Sequence, residues 1–274
     1  MYKRQFGGRY RNRPVEEVLV ELRRLRPFGG LFTLKNCVFF VDDNIIGNRA
    51  HARELLARIA DLGLKWFSHA SMNIAGDPEI LRLCQRSGCV GLFIGFETLS
   101  AETLRAIGKR TNRPQEYLDV VRQIHDHGIG IDASFVFGFD QDDDGVFDRT
   151  LEFVQRAKFE VVYYSILTPY PGTRLYQRLS AEGRLLTRDW SLYDTSHVVY
   201  RPHPLTADQV LAGYHRVLKD SYSLGCVLKR LWGTTAYKNF FYPMNFGFRQ
   251  SARKLWHTYQ QGGMRVEPDA AACP

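Results

Sequence analysis

Between Cys37 and Leu167 the chain repeats one pattern: a short apolar run followed by an amphipathic helical stretch. The apolar runs are "CVFFVD" (37–42), "KWFSHASM" (65–72), "VGLFIGF" (90–96), "IDASFVFGF" (131–139) and "VVYYSIL" (161–167). Helical spacing and stop signals predict helices over 48–63, 77–88, 100–109, 114–128 and 144–158 between them. Asp77 and Pro78 open one of these as N-cap and first helical residue, and Gly63 and Gly88 close two of them. An earlier helix, Pro14 to Leu25, has two Glu in its first turn and basic residues near its end, matching the macrodipole. Strands alternating with helices of this length imply βαβ units and a parallel sheet. The runs are continuously apolar rather than alternating, as strands covered on both faces should be.

A chain of 274 residues at 45% hydrophobic can bury one large core, so one main body with appendages is expected. No window resembles a membrane span, and "MYKRQFGGRYRNRP" has no apolar signal-peptide core, which predicts a cytoplasmic protein. Five scattered cysteines (Cys37, Cys84, Cys89, Cys226, Cys273) indicate neither a disulfide framework nor a zinc site. The net charge of +8 comes from the two ends, whereas residues 27–200 are slightly acidic. Basic ends attract polyanions through their summed field, yet a solvated basic surface is the plainer reading and no specific nucleic-acid partner is predicted. In the tail, 206–224 reads as an amphipathic helix with Val210, Leu211, Tyr214, Val217 and Leu218 on one face. The aromatic run "LWGTTAYKNFFYPMNFGF" that follows is expected to pack on the main body, with a lid over a hydrophobic small-molecule substrate or a peripheral membrane contact as alternatives.

In parallel α/β sheets ligands meet the loops after the strands' C-terminal ends. Residues at those ends are Asp42, Asp43 and Asn44, then Ser71 and Asn73, then Glu97, then Gly138 and Asp140, then Thr168, Pro169, Pro171 and Gly172. Glu97, directly after "GLFIGF", needs a cationic or hydroxyl partner if it is to be desolvated, which a bound amine or ribose would supply. "TPYPGT" offers a stiff proline-bounded backbone suited to stacking against a flat ring. Each acid taken alone also reads as a helix cap or a solvated residue. His125 and His127 end a helix, where positive charge suits the dipole, and the eight histidines form no metal constellation.

"FFVDDNIIGN", "ASMNIA", "GCVGLFIGFETLS", "HDHGIGIDASFVFGFDQDD", "SILTPYPGTRLYQRL" and "LLTRDWSLYDTSHVVYRP", in this order, resemble the body of radical S-adenosylmethionine (SAM) enzymes, in particular the branch with an N-terminal cobalamin-binding domain. The resemblance implies an α/β fold, a partial (β/α)6 TIM-like barrel over 1–200, with a C-terminal helical extension over 201–274. It implies SAM and a [4Fe-4S] cluster at the barrel mouth, with cobalamin as a further cofactor. By the same resemblance Asp42, Asp43 and Asn44 lie near the methionine amine, Ser71 and Asn73 near the methionine carboxylate and ribose, and Glu97 on the ribose side. Phe137 and Gly138, with Thr168, Pro169 and Pro171, match the adenine-facing strands. Asp42 and Asp43 cannot both point inward, because adjacent strand residues face opposite sides.

The sequence contains no Cys-x3-Cys-x2-Cys loop, whose three thiolates would hold the cluster, so the barrel is expected to lack its first strand and its metal ligands. A misassigned start, a truncated gene and a separately encoded N-terminal segment remain open on that reading, and the chain as given is expected to be inactive. Its edge strand "CVFFVD" would then be exposed and prone to strand addition. Two alternatives stand beside it: a non-catalytic or partner-dependent remnant, and an unrelated α/β protein binding magnesium through "VDDN".

Overall fold

The computed structural model describes residues 11–25, 37–109 and 111–267. Five strands, β1 (Cys37–Phe40), β2 (Lys65–His69), β3 (Cys89–Glu97), β4 (Gly130–Phe137) and β5 (Val161–Ile166), form one parallel sheet in the order 1-2-3-4-5. The order follows the sequence because each crossover returns beside the strand it left. Among the described strands the sheet does not close on itself. The segment after β5 comes back along it, with Ile166 N donating to Thr195 O at 2.7 Å.

The helices begin where local chemistry starts them. α1 (Val15–Arg24) buries Val15, Leu19 and Leu22. α2 (Arg49–Ile59) is capped by Asn48, which accepts from His51 N, and Gly63 adopts the left-handed conformation after the short turn that follows it. α3 (Pro78–Arg86) starts on Asp77, whose carboxylate accepts from Ile80 N and also meets Arg49 and Arg53. α4 (Ala101–Ala106) is capped by Ser100, α5 (Tyr117–His125) follows a single 3-10 turn, and α6 (Val146–Ala157) precedes β5. Helices α2 to α6 cover the outer face of the sheet. There Trp66, Leu92, Ile94, Phe96, Ile131, Ala133, Phe135, Phe137, Val162, Tyr164 and Ile166 form the main core.

The inner face is aromatic. Phe39 meets Phe67 and His69, His69 meets Phe93, and Phe93 meets Tyr163, at ring separations of 5.6, 5.4, 5.1 and 5.4 Å. Among the described strands β1 pairs only with β2, and its inward Phe39 is half exposed.

The chain continues through α7 (Arg174–Ala181), α8 (Ala207–Ser221), α9 (Leu224–Leu231) and α10 (Lys238–Gln260). α8 opens on a complete capping box between Thr206 and Gln209 and buries Val210, Leu211, Tyr214 and Val217. Its Gly213 is pressed against the Phe147 ring of α6, so closely that a Cβ there would overlap it. α10 places Phe241 on the inner face against Gly91 and Gly130, closing the floor of the sheet, and Phe248 edge-on to Tyr163. Phe241 and Phe248 of the aromatic run thus pack on the main body. Among the described residues no helix is long and apolar enough to cross a membrane.

Candidate functional site

The strands' C-terminal ends lie along one rim, and the loops there are held by short polar links. After β1 and β2, the Asn44 amide donates to Ser71 Oγ at 3.0 Å and accepts from Ser71 N at 3.1 Å. Ser71 Oγ in turn donates to the Asn73 side chain. Asn44, Ser71 and Asn73 therefore form one hydrogen-bonded cluster bridging the first two loops. Asp42 and Asp43 lie beyond the end of β1 and are exposed. Partial burial pushes the Asp42 carboxyl up from its ordinary value despite nearby His51 and His69. His69 Nδ1 donates to the Asp42 carbonyl at 3.0 Å, tying this loop to the inner aromatic row.

Glu97 ends β3 in a bulge with φ of 67°, a left-handed conformation that favours glycine. The bulge is held from outside. Asn112 Nδ2 donates to the carbonyls of Gly95 and Phe96 at 2.9 and 3.2 Å, and the Tyr117 hydroxyl reaches those of Phe96 and Thr98 at 2.9 and 3.2 Å. Backbone strain held in place by surrounding bonds is a recurrent property of ligand sites. Lys109 Nζ meets Glu97 Oε1 at 2.5 Å, so the cation that Glu97 requires is supplied by the chain itself rather than only by a ligand. Nothing in the local pattern pointed to Lys109, which arrives from the loop after α4. Removing the Tyr117 hydroxyl (Tyr117→Phe) is expected to cost about 1–2 kcal/mol, because two carbonyls lose a buried donor. Urea denaturation would measure it, and an unchanged midpoint would mean that water replaces the hydroxyl.

The adenine-side residues expected from the sequence divide. Phe137 turns its ring outward into the core, stacked on Tyr164 at 5.8 Å and packed against Phe147 at 4.8 Å. The inward residue of that pair is Val136. Gly138, at φ of 99°, has both main-chain groups engaged: its N–H donates to Asp142 Oδ2 at 2.8 Å and its carbonyl accepts from the Tyr200 hydroxyl. Burial pushes Asp142 up to about 6, against the two backbone N–H groups it accepts from. Thr168 Oγ1 turns back to Ile166 O at 2.9 Å, Pro169 is buried, and Pro171 is exposed.

A cavity of about 720 Å³ opens between the end of α4, the loops after β4 and β5, and the start of α7. Arg105 and Gly108 line it from the first side, Phe139 and Asp140 from the second, and Leu167, Gly172 and Arg174 from the third. Burial works upward on Asp140, yet Arg184 and Arg178, at 2.6 and 3.0 Å, hold its carboxyl below the ordinary value. The arginines of this cavity were not anticipated; they sit on helical turns whose pattern reads as solvated surface.

His125 does more than close a helix. Its Nε2 contacts buried Glu160 Oε2 at 3.0 Å, whereas His127 bonds back to Gln123 O.

The described residues do not fit an iron–sulfur cluster. No group of three or more His, Cys, Asp or Glu among them stands close enough to hold a metal ion. Burial pushes the thiols of Cys89 and Cys226 up, away from the thiolate that iron requires, Cys89 lies beside Cys84 rather than at the rim, and Cys37 stands at the start of β1, the end away from the rim. Cys273 lies outside the described residues. The same absence leaves Asp42 and Asp43 without further carboxylates to complete a magnesium site among the described residues.

Residues 1–154 match the radical SAM superfamily, and residues 173–258 match a domain of unknown function. Bacteriochlorophyllide d C-12(1)-methyltransferase of Chlorobaculum tepidum is 34% identical over 91% of this chain and 54% of its own length. Hopanoid C-2 methylase of Rhodopseudomonas palustris is 30% identical over 82% of this chain and 42% of its own. The chain thus spans about half the length of the curated relatives it matches. The radical SAM methyltransferase TsrM of Kitasatospora setae, solved with tryptophan and a SAM analogue, shares the fold at a TM-score of 0.54 and 13% identity, over 81% of this chain and 52% of that one.

Proposed function

Because this chain belongs to the radical SAM superfamily, we propose that it forms the SAM-holding rim and the substrate-side tail of a radical SAM methyltransferase acting on a hydrophobic small molecule. The observation carrying the reading is the rim itself: a hydrogen-bonded Asn44–Ser71–Asn73 cluster and a bulged, ion-paired Glu97 at the ends of consecutive strands. In it the Asp42–Asn44 turn borders the methionine amine, with one of the two carboxylates facing it, Ser71 and Asn73 border its carboxylate, and Glu97 the ribose hydroxyls. Thr168, Pro169 and Pro171, with the backbone at Gly138, border the adenine; Phe137 acts from behind, as packing. SAM supplies the methyl group or the radical, and the chain's own residues bind it, orient it and keep water out. The cluster is assigned to cysteines outside this chain. Cobalamin stays a further cofactor of the whole protein, supported by the resemblance of the barrel motifs.

The hydrophobic substrate is supported by the aromatic inner row from Phe39 to Tyr163 and by the names of the two curated relatives, a bacteriochlorophyllide methyltransferase and a hopanoid methylase. We divide the chain by role at residue 200, with the barrel side holding the cofactor and 201–274 closing the floor under the substrate. Anaerobic treatment with iron and sulfide tests the assignment. The chain alone is expected to take up no cluster and to leave SAM intact. Joined to a Cys-x3-Cys-x2-Cys segment it is expected to take up the cluster and cleave SAM under reductant. Glu97→Gln should slow that cleavage by about tenfold, the loss of one charge-assisted hydrogen bond. A cluster on the chain alone, or an unaltered rate in the variant, would overturn the reading.

A further inference from the structure

The helices that close the floor of the sheet also present an outer surface with a composition of its own. α9 is divided lengthwise: Cys226, Val227, Arg230 and Leu231 are buried, while Leu224 and Leu228 are each 46% exposed. Trp232, the next position at the same four-residue spacing, is 76% exposed. On α10, which packs against α9, Phe246 is 51% exposed while its neighbour Asn245 is buried. A stripe of two leucines and a tryptophan in water is apolar area that a folded chain does not leave open without a use.

The charges carried by these two helices are of one sign. No Asp or Glu occurs between Ser221 and Val266, a stretch that contains both helices entirely. Lys229, Lys238, Arg253 and Lys254 are exposed on these two helices. The flanking acids in the sequence are Asp220, in α8, and Glu267, beyond the end of α10.

We propose that the outer face of α9 and α10 docks on an anionic phospholipid surface. Leucine and tryptophan enter the headgroup boundary, where the indole's apolar body and N–H are both accommodated, and the flanking lysines and arginines lie at the level of the phosphates. The contact lies on the membrane, since no described helix could cross one. This docking does not depend on the reaction proposed above. Single-signed charge distinguishes the surface from a self-association patch, which would bring cations onto cations across a two-fold axis.

Co-sedimentation of the full chain with phosphatidylcholine vesicles, with and without phosphatidylglycerol, tests the proposal. Binding is expected to the anionic vesicles, to fall as salt is raised, and to be weak on the neutral ones. Trp232→Ser and the pair Lys229→Glu with Lys254→Glu should each weaken binding by about tenfold or more. Circular dichroism and the melting temperature should stay unchanged, because these side chains are exposed. Equal binding to both vesicle types, or anionic-vesicle binding unaltered in both variants, would overturn it. A dimer in sedimentation velocity that Trp232→Ser dissolves would also overturn it, by making a second copy of the chain the occupant.

Discussion

Arg230→Met is expected to destabilise the protein by about 3–5 kcal/mol, the range for removing one member of a fully buried, charged hydrogen-bond network. Arg230 is completely buried. Its guanidinium donates to the carbonyls of Phe159 and Glu160 at 2.6 and 3.2 Å, to Ser221 O at 3.3 Å and to the Asn245 side chain at 3.0 Å. Asn245 returns to Glu160 O at 2.8 Å, and the Glu160 carboxylate accepts from Ile131 N and from Thr234. This one residue therefore joins the turn before β5, the end of α8 and the middle of α10. Methionine matches the stem but leaves four oxygens without that donor. Arg230→Lys should recover only part of the loss, because a point-like ammonium cannot span the fork. Urea denaturation followed by circular dichroism would show a lower midpoint with a similar slope. A loss below about 1 kcal/mol would mean that water enters and replaces the guanidinium.

The same network shows where reading the sequence stops. Helix starts were legible because their signals are local: Asn48, Asp77, Ser100 and Thr206 each accept from a backbone N–H within three residues. The parallel sheet was legible from alternation, and the rim followed from it, because strand ends in such a sheet share one side. The inner face was not legible. Strands apolar on both faces lose the period-two signal, so Phe137 could be placed inward when it belongs to the outer core. Partners far along the chain escaped as well. Lys109 for Glu97, Glu160 for His125 and Tyr200 for Gly138 are brought together only by the fold. Cys84, Cys89 and Cys226 are buried free thiols, whereas Cys37 is exposed at the start of the edge strand.

Asp132 is the one carboxylate inside the apolar run of β4, and its effect on stability should grow with pH. It lies on the inner face, between Phe93 and Val161 in register, and is 1% exposed. Its Oδ1 has no hydrogen-bond partner among the described residues. Burial first, and then the Glu160 carboxylate, raise its pKa well above the ordinary value. Nearby, Tyr163 is pushed up to about 12, by burial and then by Asp132 itself. The folded protein thus holds a proton here that the unfolded chain releases near pH 4, so stability falls as pH rises through and above that value. Asp132→Asn removes the titration while keeping the shape. Its stability relative to the parent should be close to zero or negative near pH 4 and should climb by up to about 1.4 kcal/mol per pH unit above it, until the folded carboxyl ionises. The gain is read as the widening difference between the two stability curves from pH 5 to pH 7. Parallel stability curves for the two proteins across that range would show that water or a counter-charge reaches the carboxyl. The location of this cost is itself informative. Asp142, the other described acid with a buried unpartnered oxygen, is held through its second oxygen by the Gly138 and Phe139 N–H groups, whereas Asp132 sits on the inner face below the partly exposed Ser134, on the side where a ligand would sit.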